Sequence, residues 1–346
     1  MTTSVDELKG RFAWVALAVF LVVMPPFAWG HHSGAMYDDK KVITVDGRVT
    51  RYEWANPHVY IYVDQILTTG KTVEWEIEGS PPSILRRLGW DKNTLHPGDK
   101  VTVRGHPARV AGSYKLLPDD VIRGSDTLFE RNGEVARLAR TTPGTEPTDA
   151  GMDGVWVTLL APKLDEQLDP DKMSLTARGK VAAKNFDERT MNPGAQCVPN
   201  PAPVFMITPD LKRITKGDGF LLIDGEFDGA QRTVYMSVAT HEGAPPSVQG
   251  HSIGHWEGKS LVIDTARFAG HLIGNGYGVP SGAKKHLVER LTPAADGTSL
   301  TYHFELTDPD YLAAPVKGDA TWVFRANTPY VALKCNPDNA RRYAGP

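Results

Sequence analysis

Two groups of residues in this 346-residue chain have the types and spacing to do chemistry. The first group is His31, His32 and His58, the last within Asn56-Pro57-His58. Cleavage after Gly30 would make His31 the N-terminal residue, so that its α-amine and ring could chelate one metal ion together. An α-amine has a pKa of about 8 and gives up its proton readily to a competing metal. His32 adds a third nitrogen. Pro57 fixes φ and lacks an N–H, so it could turn His58 out of a sheet. Nitrogen donors in a flat arrangement suit copper(II), which also tops the divalent affinity order. Zinc stays open, although no carboxylate or thiolate stands at a characteristic spacing. The plainer alternative is a solvated terminus and a His58 that merely satisfies a carbonyl. His106 is a weaker candidate, after the strand-like run 99–105.

The second group is His251, Asp264 and His286. His251 opens the run Gly250-His251-Ser252-Ile253-Gly254-His255-Trp256-Glu257-Gly258, and Asp264 sits in Ser260–Thr265. On a strand, His251 and His255 share a face. Asp264 and His286 fall at strand positions that could reach the same cavity, where they would act as general acid and base. Against this, Trp256 could pack, Glu257 could solvate a turn, and Asp264 could satisfy backbone donors. Gly250 and Gly254 permit close backbone approach. A Gly-x-Ser-x-Gly elbow, a His-Glu-x-x-His run, a P-loop and a dinucleotide fingerprint after a strand are all missing. The glycine-rich run 274–278 reads as a mobile loop over a pocket mouth. Tyr60, Tyr62, Trp75, Trp256, Tyr302 and Trp322 would either fill a core or line an apolar ligand cavity.

The elements that must hold these residues are mostly strands. Residues 42–64, 72–78 and 99–106 alternate β-branched or aromatic with polar side chains, and Gly, Pro and Asn bound them. Residues 82–88 read as a helical turn. Further strand-like runs lie at 219–224, 232–238, 260–265, 285–291, 299–307 and 319–325. Turn signals at Gly217-Asp218, Glu257-Gly258 and Asp296-Gly297 predict hairpins. Residues 170–187 are the best helix candidate, capped by Ser174 or Thr176; residues 134–140 could form a short one. The expected fold is mainly β: a small barrel or sandwich over 31–130, then a linker at 131–151. A larger antiparallel barrel follows over 152–346, with one or two flanking helices and a lipocalin-like form among its options.

Lys9 and Arg11 precede an apolar run that Pro25-Pro26 ends, too short for the roughly 20 residues of a membrane span. Residues 1–30 read as a signal peptide, with an uncleaved anchor over 12–29 as the alternative. The remainder would then lie in the periplasm or outside the cell, or be membrane-anchored facing the periplasm. In that oxidising setting Cys197 and Cys335 are expected to pair, against the alternative of two buried thiols. A formal net charge of -3 argues against a nucleic-acid binder. The 33 glycines and 26 prolines, without a period, exclude a collagen-like chain.

Residues 31–124 resemble an uncharacterised family of exported bacterial domains. The likeness rests on His31-His32-Ser33, Asn56-Pro57-His58, Gly89-Trp90 and Pro97-Gly98-Asp99-Lys100-Val101. Residues 150–340 are similar to a β-rich domain often fused to it, through Gly250–Gly254, Trp256-Glu257-Gly258, Leu261–Thr265, His286–Arg290 and Asp308-Pro309. Gly154-Val155-Trp156 is similar to the Gly-x-Trp of lipocalin-like barrels. These resemblances imply a periplasmic location but no defined reaction. The leading expectation is therefore a periplasmic copper-binding protein using the mature N-terminal histidine. The alternatives are a barrel enzyme or carrier for a small apolar or carbohydrate-like ligand, and an anchored interaction module.

Overall fold

Runs that alternate apolar and polar side chains lay one face on a core, and here they form two barrels. The computed structural model describes residues 36–130, 151–159 and 167–343, apart from positions 228 and 327. The leader at 1–30, His31, His32, the possible helix at 134–140 and nearly all of the 131–151 linker lie outside the described residues.

The first sheet contains β1 (Ile43–Glu53), β2 (Tyr60–Ile66), β3 (Thr72–Glu78), β4 (Lys100–Pro107), β5 (Lys115–Arg123) and β6 (Asp126–Glu130). Its order is β3-β2-β1-β4-β5-β6, and β3 also pairs with β5, so five strands close into a barrel. Val45, Ile61, Val63, Ile77, Val103 and Leu116 fill it. The helix α1 (Pro82–Arg87) starts on a proline, whose missing N–H costs nothing there, and sets Leu85 on that core. A helix between the third and fourth strands of a five-stranded Greek-key ring is the arrangement of an OB-fold barrel.

The second barrel uses β7 (Gly154–Thr158), β8 (Leu211–Gly217), β9 (Phe220–Gly225), β10 (Gln231–Tyr235), β11 (His251–Glu257) and β12 (Ser260–Ala266). It is completed by β15 (His286–Pro293), β16 (Ser299–Thr307) and β17 (Val316–Phe324), while β13 (His271–Gly276) and β14 (Val279–Ser281) form a separate ribbon. The hairpins expected at Gly217-Asp218, Glu257-Gly258 and Asp296-Gly297 are β8–β9, β11–β12 and β15–β16. The expected helix is present as α2 (Ala177–Asn185), and Thr176 caps it by accepting from Gly179 N. The glycine-rich run at 274–278 is no loop over a pocket mouth. Gly274-Asn275-Gly276 belongs to β13, and the buried Asn275 donates to Pro280 O and to Asp308.

Strand parity shapes both rings. Neighbours in a closed ring can all be antiparallel only if the strand number is even. Nine strands close the larger barrel, and β10–β11 is its parallel pair. The smaller ring has its parallel pair at β3–β5. Successive parallel strands need a crossover of about a dozen residues or more. Residues 236–250 supply it, returning the chain from the end of β10 to the start of β11. Gly250 enters β11 at φ +71°, where a Cβ would lie 2.8 Å from Ala266 O. Gly254 leaves room for Val234 and Met236, whose atoms would stand 2.7 and 2.6 Å from a Cβ. The close approach expected at these two glycines is therefore present at the seam.

The larger barrel is filled by side chains. Trp156, Tyr302, Phe304 and Trp322 are fully buried within it. Arg232 and Glu289, also buried, form a bidentate ion pair between β10 and β15. Arg232 also donates to Ser252 Oγ at 2.9 Å and Thr265 Oγ1 at 2.6 Å, and Tyr302 OH donates to Glu289 at 2.8 Å. Tyr302 and Trp322 are thus core here, as is Trp75 in the smaller barrel; Tyr60 and Tyr62 are buried on the outer face of β2, and Trp256 is exposed. Cys197 and Cys335 form a disulfide across 138 positions, worth up to about 5 kcal/mol in the loop-entropy account. Replacing Arg232 by alanine would leave Glu289 charged and unpaired in the core. A loss of about 3–5 kcal/mol in denaturant unfolding is expected, with the double change Arg232→Met, Glu289→Leu losing much less.

Candidate functional site

On the walls of the larger barrel, inward side chains alternate with outward ones. Leu261, Ile263 and Thr265 of β12 point inward, which turns Asp264 outward. Likewise Leu287 and Glu289 of β15 point inward and His286 outward, while Ser252 inward leaves His251 outward on β11. Registry brings these residues into one patch. Ile253 pairs with Asp264, Asp264 with Val288, and His251 with Ala266 beside them. The three residues singled out as an acid–base set therefore meet, on the outside of the barrel and not in an interior cavity.

A fourth residue completes the patch. His241 lies in the crossover that the parallel seam requires. Its Nε2 is 2.8 Å from Asp264 Oδ1, and its Nδ1 is 2.9 Å from His251 Nδ1. His286 Nε2 stands 3.1 Å from each oxygen of Asp264. Tyr235 stacks on the His251 ring with centroids 5.0 Å apart. His241 escaped the sequence reading because a histidine in a polar loop carries no period; the one available signal was the unusual length of the loop between two strand-like runs.

Proton bookkeeping gives the cluster a direction. An ionised carboxylate only accepts hydrogen bonds, so His241 and His286 donate to Asp264 through Nε2–H. In the neutral ring His241 Nδ1 then holds a lone pair and accepts Nδ1–H from His251. The lone pair of His251 falls on Nε2, and that of His286 on Nδ1. Burial, and then the neighbouring His241, hold His251 below the usual histidine range, so it is neutral near pH 7. Burial raises the Asp264 carboxyl, but the hydrogen bonds and charges of His241 and His286 outweigh it and hold it below the usual carboxylate range. Asp264 and His286 are each 43% exposed, so the patch is open to solvent. An apolar row crosses it: Phe220, Tyr235, Ile253, Asp264 and Val288 pair in succession, and Phe220, Tyr235 and Val288 are exposed.

His255 faces outward on β11 like His251 but pairs instead with Glu257, which also accepts from Arg290. His58 lies apart, in the smaller barrel. Its Nδ1 donates to Gly79 O at 2.9 Å and stands 3.3 Å from Glu78, which Tyr37 OH also holds. His106 is engaged with Lys41 O and Asp119. Among the described residues, no group of three or more histidine, cysteine or acidic side chains is arranged to hold a metal ion. Among them, too, no helix is long and apolar enough to cross a membrane.

A family of unknown function (DUF6152) matches residues 19–115, a span that includes His31, His32 and His58 and ends as β5 begins. No curated protein matches the chain.

The two depressed groups titrate in different windows. Asp264 contributes stability above about pH 4, lost as pH falls through its lower folded value; His251 contributes stability above about pH 6.5, lost as pH falls toward its own. Asp264→Asn should flatten the acid limb of a pH–stability curve, and His251→Gln the limb just below pH 6.5. Unaltered limbs would contradict the assignment.

Proposed function

We propose that the chain is an exported two-barrel protein whose larger barrel carries a surface acid–base site and acts as an enzyme or carrier on a small, largely apolar or carbohydrate-like molecule. The observation that carries this reading is the convergence of His241 and His286 on Asp264, with His251 joined to it through His241. His251 Nε2 is the base: it takes a proton from a water or substrate hydroxyl. The hydrogen bond through His241 to Asp264 stabilises the resulting imidazolium. His286, when protonated, returns a proton to a leaving group. The exposed Phe220, Tyr235 and Val288 offer an apolar bed beside these nitrogens. The Cys197–Cys335 disulfide is consistent with export to the periplasm.

A second reading, copper binding at the mature N-terminus through His31, His32 and His58, has one observation in its favour. Metal-ligating histidines commonly donate their other ring N–H to a carbonyl or carboxylate, and His58 does so with Nδ1 to Gly79 O, which directs its lone pair to Nε2.

A panel of small esters and glycosides tests the first reading. Turnover by the full chain should fall about 10²–10⁴-fold in His251→Ala and His286→Ala while the circular dichroism spectrum is unchanged. Equal rates in wild type and both variants would contradict it. For the second, the exported protein should have an intact mass starting at His31 and hold about one copper, with affinity falling below about pH 6.5. A retained leader, or no copper uptake, would overturn that reading.

A further inference from the structure

Beyond Phe324, where the last barrel strand stops, residues up to 343 run as a strap onto the smaller barrel. Cys335 is the midpoint of that strap and its covalent tie to Cys197. Beyond it, Asn336 N donates to Asn56 O at 3.0 Å and caps α3 (Pro337–Ala340). Asn339 Nδ2 donates to His58 O at 3.0 Å. Arg342 donates to Glu53 at 2.6 Å and to Tyr62 OH at 2.8 Å, and lies over the Tyr60 ring at 4.9 Å. The strap therefore clasps the Asn56-Pro57-His58 turn and the flanking ends of β1 and β2.

Leu333 N also donates to Glu226 O at 3.3 Å, and α3 packs against residues 193–196. Asn339 and Ala340 are buried, while Lys334, Asn336, Pro337, Asp338 and Arg341 are exposed. A segment with so few buried contacts opens at low cost once its tether is cut. The barrels also meet without it, through Asn56 Nδ2 to Phe227 O at 2.9 Å and Arg87 to Glu226 at 3.4 Å. Both cysteines are only half-buried, and both border a small cavity of about 50 Å³ whose other walls include Asn56, His58, Asn200 and Phe227. The disulfide therefore stands at the junction between the barrels.

We propose that Cys197–Cys335 is a redox latch, opened by a dithiol, that controls access to the Asn56–His58 turn and the junction cavity. A thiolate of the dithiol attacks one sulfur and forms a mixed disulfide. Its second thiol then resolves that bond. Cys197 and Cys335 leave as two thiols, and the donor becomes a disulfide, so two electrons and two protons pass to the protein. The strap releases Asn56, His58 and Glu53, while the Phe227 and Glu226 contacts keep the barrels together. The latch is independent of the acid–base site on the outer face.

Dithiothreitol added to the folded full chain, followed by thiol counting and amide exchange, tests this. About two thiols per chain should appear under native conditions. Exchange should rise at least about tenfold in residues 333–342 and in 53–60, and remain unchanged in β12 and β15. A disulfide that resists reduction until the protein is denatured would overturn the proposal. So would a reduced protein whose strap keeps its protection, or one in which every strand loses protection together. Arg342→Ala, with the disulfide intact, should raise exchange near Glu53 and Tyr62 alone; release of the whole strap by that change would show that the disulfide is not the latch.

Discussion

A ring with an odd number of strands cannot be antiparallel throughout, and that constraint organises both barrels. Each ring holds one parallel seam, β3–β5 in the smaller and β10–β11 in the larger. Seams are short: each joins two residue pairs. A seam also demands a chain segment that runs back outside the ladder. In the larger barrel this return segment carries His241 onto Asp264, so the candidate site is a consequence of the topology. In the smaller barrel Glu78 ends the seam strand β3 and stands beside His58 and Tyr37.

The interior explains why the site lies outside. A barrel of this size could enclose a ligand, but here an ion pair, Ser252, Thr265, Tyr302 and two tryptophans occupy the space. Burying a charge pair is tolerable only when its remaining hydrogen-bonding capacity is met, as it is around Arg232 and Glu289. Lys212 is treated similarly lower in the core, where Thr208 O and Asp210 receive its ammonium. With the inside sealed by polar networks as well as hydrophobes, functional chemistry is left to outward residues and to loops.

Much of the fold was legible in the sequence. The strands at 72–78 and 299–307, the hairpin turns, the Thr176 cap and the cysteine pair stand where alternation, turn residues and compartment place them. Other strands were hidden for identifiable reasons. Pro118 interrupts β5, tolerated because it sits opposite Gly105 where the register shifts. β8 hides its inward Lys212 among other charges, and the glycines of β13 read as a loop. Within the site, His251, Asp264 and His286 could be chosen because strand position controls direction. Their meeting on the outer wall could not be chosen, because inward and outward faces are decided by which neighbours form the core. His241 was invisible for the related reason that its partner is selected by the crossover.

The seam crossover fixes a directed hydrogen-bond chain, His251 to His241 to Asp264. Nitrogen-15 NMR of the histidine rings near pH 8 reads this directly, since each tautomer has its own pattern of ring shifts. His241 and His286 should carry their proton on Nε2 and His251 on Nδ1, with Asp264→Asn disturbing the first two. Rings of His241 and His251 that average freely between tautomers, unaffected by Asp264→Asn, would contradict it.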